Sequence, residues 1–171
     1  SALELSSKLM TEHQINIQPD ILAKNTTIRH LLASIHTNNN SNQDFIYCIQ
    51  NRNAKKNLFM IHPVGGTSFC YVPMSKHIDK NYNVYAINDV DIGKDKPQYK
   101  SLNALCSLYL SKIKAISPYG PYYIVGMSLG GVLAVEIARR LNQTNNGLGA
   151  IVLIETWAKL PKELLNTKIF S

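Results

Sequence analysis

The sequence predicts an α/β fold, a mostly parallel sheet flanked by helices, with a short all-α piece ahead of it. Three observations carry this. Short apolar runs alternate with segments of helical spacing from Phe45 to Ile154, and repeated β–α–β alternation marks a sheet covered by helices. Residues 150–154, AIVLI, are apolar without a break, as strands of parallel sheets are when both faces are buried. A glycine-rich turn joins the strand at 122–125 directly to an apolar-striped segment.

The elements follow in order. Leu3, Leu5, Leu9 and Met10 recur at roughly helical spacing, so an amphipathic helix is expected to about His13. A loop with Pro19 follows. Thr26 and Thr27 then cap a second helix carrying Ile28, Leu31, Leu32 and Ile35. Two short helices do not enclose a core, so residues 1–36 read as the end of a small helical domain. Residues 37–44, TNNNSNQD, have the composition of a linker. Residues 45–171 form the second region. Strands are expected at 45–50 and 58–61, separated by a polar turn, then a helix within 67–80 and a strand at 84–87. A helix at 101–117 carries Leu102, Leu105, Leu108, Ile113 and Ile116 on its apolar side. The strand at 122–125, a helix at 129–141 and the strand at 150–154 complete the pattern, with one more helix at 161–170.

Composition narrows the function classes. The chain has 171 residues, 45% hydrophobic and 17% charged, an ordinary globular balance. No basic segment followed by an apolar core marks a signal peptide, and the longest apolar run is far short of the roughly 20 residues of a membrane helix. A cytoplasmic protein without a membrane partner is expected. Cys48, Cys70 and Cys106 are odd in number and widely spaced, which fits reduced, part-buried thiols and neither a disulfide framework nor a metal site. The net charge is +7. Lys8, Lys24 and Arg29 balance Glu4, Glu12 and Asp20, so the excess lies beyond residue 36. It is scattered and accompanied by no nucleic-acid motif, so nucleic acid is not an expected partner. An acidic protein or a phosphate-bearing arm suits it as well.

The chemistry centres on Gly126-Met127-Ser128-Leu129-Gly130. Gly-x-Ser-x-Gly arises by chance in roughly 5% of chains this long, so the pattern alone is moderately specific. Its context is stronger: a strand feeds into it and an apolar helix leaves it. This is the arrangement of a nucleophile elbow, in which Ser128 occupies a strained bend and the flanking glycines relieve clashes with helix and strand. The helix starting at Leu129 aims its first N–H groups at negative charge developing beside Ser128. The strand at 58–61 leads into His62-Pro63-Val64-Gly65-Gly66. Sheets with this elbow take one oxyanion donor from the residue after the nucleophile and one from an early loop. Leu129 N–H and Val64 N–H are the candidates, with Gly65 the alternate; Pro63 has no N–H to give. His62 is read as organising that loop rather than as a base, and His13, His30, His36 and His77 are weaker base candidates still. Glu155 stands at the carboxyl end of the strand at 150–154, the edge where open α/β sheets bind ligands. It follows Ser128 in the order nucleophile, acid, histidine, and is the candidate triad acid. Glu136 lies two turns into the helix and reads as a solvated or locally paired carboxylate.

These residues match a family. HPVGGTSFCYVPM, GPYYIVGMSLGGVLAVEIARRL and IVLIETW resemble the thioesterase domains that close nonribosomal peptide and polyketide synthases, members of the α/β-hydrolase superfamily. The resemblance covers residue 45 to about 160. The family commonly has Asp where Glu155 stands, and often an aromatic residue where Met127 stands. SALELSSKL and TTIRHLLASI resemble the second half of an acyl or peptidyl carrier domain, which makes 1–36 a carrier remnant, 37–44 a linker, and 45–171 the front of a thioesterase domain cut within its lid. The carrier's phosphopantetheine serine then falls two residues upstream of Ser1, outside the chain, and Ser1 is not the attachment site.

What the resemblance implies is release of a carrier-bound acyl or peptidyl chain. Ser128 attacks the thioester, the oxyanion rests on Val64 and Leu129 N–H groups, and water or a group of the same chain releases an acid or a macrocycle. The partners are the carrier with its thioester-linked chain and upstream synthase modules; the thioesterase itself is expected to bind no cofactor and no metal. The family's base histidine follows the last strand of the sheet, and no histidine follows His77 here. The sequence therefore reads as a fragment, inactive alone, because a serine without its base is a weak nucleophile. A type II editing thioesterase, another esterase of this fold, and a non-catalytic carrier-docking module are the alternatives.

Overall fold

The computed structural model describes residues 45–92, 98, 99, 101–143 and 147–156, together with Leu5, Lys8, Leu9, Thr27 and Ile28. The chain divides into two units, Ser1–Asp44 and Phe45–Ser171, and the architecture below is that of the second. The two helices expected over 1–36 lie outside the described residues apart from the five just named. The linker at 37–44, the lid beginning near Trp157 and the helix at 161–170 lie outside them altogether.

Five strands, β1 (Ile46–Gln50), β2 (Lys56–Ile61), β3 (Tyr82–Ile87), β4 (Tyr122–Met127) and β5 (Leu148–Ile154), form one sheet in the order β1-β3-β2-β4-β5. β1 runs antiparallel to β3, and every other neighbouring pair is parallel. From β2 the chain moves to β3 on one side and then to β4 on the other. The crevice between the carboxyl ends of β2 and β4 is therefore a topological switch point, where sheets of this kind take ligands.

Alternation along β2 sorts the core into two layers. Phe59 and Ile61 face helices α2 (Leu102–Ile116) and α3 (Leu129–Gln143), packing with Leu105, Tyr109, Ile113, Leu129, Leu133 and Ile137. Leu58 and Met60 face the other way, toward Tyr71 of helix α1 (Tyr71–Ser75), with Ile49, Val84, Ala86 and Val125. Each such side chain contributes about 1.5–3 kcal/mol when fully buried. Two clusters on opposite faces of one sheet hold β2 and β4 rigid beneath the crevice.

Local chemistry sets the helix ends. Ser101 caps α2, its Oγ accepting from Ala104 N–H at 3.2 Å. Arg140 of α3 donates to Ser107 Oγ at 2.7 Å and to Asn103 O at 3.2 Å, tying α3 to α2. Glu136 is the local ion-pair partner expected of it, bonded to both Arg139 and Arg140 at 2.8 Å.

Two expectations change. The helix expected within 67–80 is only five residues long. Tyr71 N–H donates to Ser68 O and Val72 N–H to Phe69 O before it, and Lys76 N–H to Pro73 O after it. Such i→i+3 bonds tighten the chain into turns at both ends. β5 is not buried on both faces: Val152 is 49% and Leu153 46% exposed. Among the described residues β5 pairs only with β4. No helix among the described residues is long and apolar enough to cross a membrane.

Candidate active site

β4 ends at Met127 and α3 starts at Leu129, so Ser128 alone makes the bend between them. Its φ is +53°, a region that non-glycine residues rarely occupy and that costs about 1–3 kcal/mol where the surroundings impose it. The surroundings do impose it. Ser128 N–H donates to Ile154 O at 3.0 Å, and Gly131 N–H donates to Ser128 O at 3.0 Å. A Cβ at position 126 would sit 2.2 Å from Gly130 O, and one at position 130 would sit 2.3 Å from Ile61 O and 2.5 Å from His62 O. Both glycines are thus required by backbone contact. Gly130 presses the first turn of α3 onto the end of β2. At Gly131 the same turn meets Thr156, whose Oγ1 would lie 1.8 Å from an added Cβ.

The loop after β2 is built as a tight turn. Gly66 N–H donates to Pro63 O at 3.1 Å, and Gly65 at the third position has φ +98°, as a turn of this class requires. The closing bond uses the Gly66 N–H and leaves the Val64 N–H outside it. Val64 is 58% exposed, while Leu129, the other candidate donor, is buried against the sheet. The Gly130 contact on Ile61 and His62 brings both segments to the same end of β2 and β4. Gly66, at φ +76°, is fitted closely against Asp89, whose N–H donates to Gly66 O at 2.7 Å.

His62 organises this loop. It is fully buried. Its Nδ1 lies 2.8 Å from Pro63 O, which only accepts, so Nδ1 carries the proton. Its Nε2 lies 2.8 Å from Tyr109 Oη. Burial pushes the imidazole below its ordinary range, against opposing pulls from the Pro63 carbonyl and the Asp89 charge. Both ring nitrogens are engaged, so neither is placed to take a proton from Ser128. Ser68 completes the support: its N–H and Oγ donate to Asn88 Oδ1 at 2.8 and 2.6 Å.

Glu155 stands one residue past β5, exposed, with φ +47°. The β4–β5 register pairs Met127 with Ile154, so Ser128 and Glu155 leave adjacent strands at the same level. Of the other polar groups nearby, Cys70 is an exposed free thiol, but partial burial raises it above its ordinary range, so it is no competing thiolate. His77 donates through its N–H to Met74 O in the turn after α1.

The structure also uses residues that sequence reading passed over. Tyr71 Oη lies between β2 and the elbow, Tyr109 holds His62, and Thr156 packs on Gly131. Tyr71 and Met127 are 56 positions apart and His62 and Tyr109 47 apart, and no local pattern announces such pairs.

Comparison with known proteins points to one family and one fold. The family model described as thioesterase domain matches residues 56–166. A dimodular nonribosomal peptide synthase of Bacillus subtilis (strain 168) is 24% identical over 157 residues, covering 91% of this chain and 7% of that one. A nonribosomal peptide synthetase of Aspergillus terreus is 31% identical over 149 residues, covering 84% and 16%. The solved structure of a holo four-domain nonribosomal peptide synthetase bound to AMP and glycine superposes with a TM-score of 0.70 at 27% identity, covering 94% of this chain and 12% of that one. The chain thus spans less than a fifth of the length of each. The mostly parallel mixed sheet flanked by helices is the α/β-hydrolase type found in solved thioesterase domains.

Proposed function

The chain belongs to the thioesterase-domain family, and from that premise we propose that it cleaves the thioester linking an acyl or peptidyl chain to a phosphopantetheine carrier. Ser128 Oγ attacks the thioester carbonyl. The C–S bond breaks as the tetrahedral intermediate collapses, and the chain remains as an ester on Ser128 while the thiol leaves. The N–H groups of Val64 and Leu129 receive the oxyanion, each supplying about 3 kcal/mol of transition-state stabilisation. Water, or a hydroxyl or amine of the same chain, then releases an acid or a macrocycle. The carrier and the upstream modules of a nonribosomal peptide or polyketide synthase are the partners.

The observation that carries this reading is the positive φ of Ser128 between β4 and α3, clamped by glycines that touch backbone. A hydroxyl raised at a switch point beside a helix N-terminus is suited to attack and poorly explained by packing. The proton of Ser128 passes to a histidine and then to the leaving thiolate. His62 is not that histidine, because its ring is committed to Pro63 and Tyr109. We assign to Glu155 the carboxylate that orients the base.

The test is carrier-bound substrate with the full-length protein and its Ser128→Ala variant. Release of long carrier-bound chains by the wild type only supports the proposal. Release restricted to short acyl groups favours an editing thioesterase, and carrier binding without any turnover favours a docking module.

A further inference from the structure

The β2–β4 ladder runs in register from Leu58 and Tyr123 to Ile61 and Gly126, and there it stops. The next donor on β4, Met127 N–H, donates to Tyr71 Oη at 2.9 Å, and the Tyr71 hydroxyl donates to Ile61 O at 2.8 Å. A side-chain oxygen thus stands where a direct backbone bond would have drawn the strands together. Two hydrogen bonds in series hold strands further apart than the roughly 4.8 Å spacing of a paired ladder. The ring is 2% exposed and packed in the α1 face of the core, so the wedge is fixed. Burial pushes the phenol above its ordinary range, which keeps the hydroxyl protonated and able to donate. Its two partners are telling. Met127 precedes Ser128, and Ile61 is both the last residue of β2 and the carbonyl on which Gly130 rests.

We propose that Tyr71 is a positioning residue whose hydroxyl sets the gap between the Ser128 elbow and the loop at 62–66, and so the spacing of the Val64 and Leu129 N–H donors. This rests on the reading of Ser128 as the nucleophile of thioester cleavage. Tyr71 touches no substrate; it acts through the two backbones it bridges. Geometry errors at this scale are felt in the transition state more than in ground-state binding.

Four forms of the full-length protein test it: wild type, Tyr71→Phe, Tyr122→Phe and Ser128→Ala. Tyr71→Phe keeps the ring and removes the bridge. Its kcat falls about tenfold at unchanged KM. Its affinity for a trifluoromethyl ketone analogue, which forms a tetrahedral adduct, weakens by the same factor, while an unreactive thioether analogue binds as before. Tyr122 is a buried tyrosine at the far end of β4 whose hydroxyl donates to Pro118 O at 3.3 Å. Its Phe variant lowers the melting temperature and leaves kcat alone. Wild-type kcat and ketone affinity in Tyr71→Phe, with Ser128→Ala inactive, overturn this proposal alone. Full turnover by Ser128→Ala removes the nucleophile reading and this one with it. Should Tyr71→Phe not fold, 3,5-difluorotyrosine at position 71 keeps ring and hydroxyl while altering the bond strengths. It then shifts ketone affinity relative to thioether affinity, and an unchanged ratio overturns the proposal.

Discussion

Ser128 and Glu155 share one backbone geometry: each stands one residue beyond the paired ends of β4 and β5, with φ of +53° and +47°. Ser128 N–H donates to Ile154 O at 3.0 Å, so the bend that lifts the serine is bonded to the strand that delivers the carboxylate. The two side chains leave the sheet from neighbouring strands at one level.

This makes Glu155 testable as the orienting acid. Glu155→Gln is expected to lower kcat by on the order of 10³–10⁴, with KM and folding little changed, since the residue is exposed. Glu155→Asp, the residue common in the family, should restore most of the rate. Steady-state kinetics on a carrier-bound thioester is the measurement.

The backbone of Val64, not its side chain, is assigned to the oxyanion. Val64→Ala should behave as wild type because the isopropyl group is exposed. Val64→Pro removes the N–H at a turn position that suits proline, and kcat should fall by about 10². Equal kinetics for the two variants would place the second donor elsewhere, with Gly65 N–H next in line.

The glycines should divide by what surrounds them. Gly130→Ala drives a methyl group into Ile61 O and His62 O and should cost about 3 kcal/mol. Gly65→Ala meets open space but keeps φ +98°, and should cost about 1 kcal/mol. Denaturant unfolding of each variant gives both values.

His62 provides a pH signature. Its folded-state pKa is depressed by burial, so the folded protein prefers neutral imidazole. The stability this contributes is present above the unfolded value of about 6.5 and is lost as pH falls below it, at most about 1.4 kcal/mol per pH unit. Between pH 6.5 and 5.5 the wild type should therefore lose stability more steeply than His62→Gln. Turnover by His62→Gln should fall about tenfold through the disturbed loop, well short of the roughly 10⁴ that loss of a general base can bring.

What the sequence made legible was local. The strand, elbow and helix from Tyr122 to Gln143 announce themselves through glycine spacing and a helical apolar stripe. The ends of α1 were not readable, because they depend on turn bonds around Pro73. Glu155 draws attention in the sequence because a carboxylate directly follows an apolar run. Tyr71 was not, because a buried tyrosine in a core-facing helix looks the same whether its hydroxyl is idle or bridges two strands. Its function exists only once β2, α1 and β4 are assembled.

The most direct measurement is the mass and location of a fluorophosphonate adduct on the full-length protein. One adduct, mapped to the peptide containing Ser128 and absent from Ser128→Ala, is the predicted result. No adduct on wild type, or an adduct on another residue with Ser128→Ala still releasing carrier-bound chains, would contradict the account.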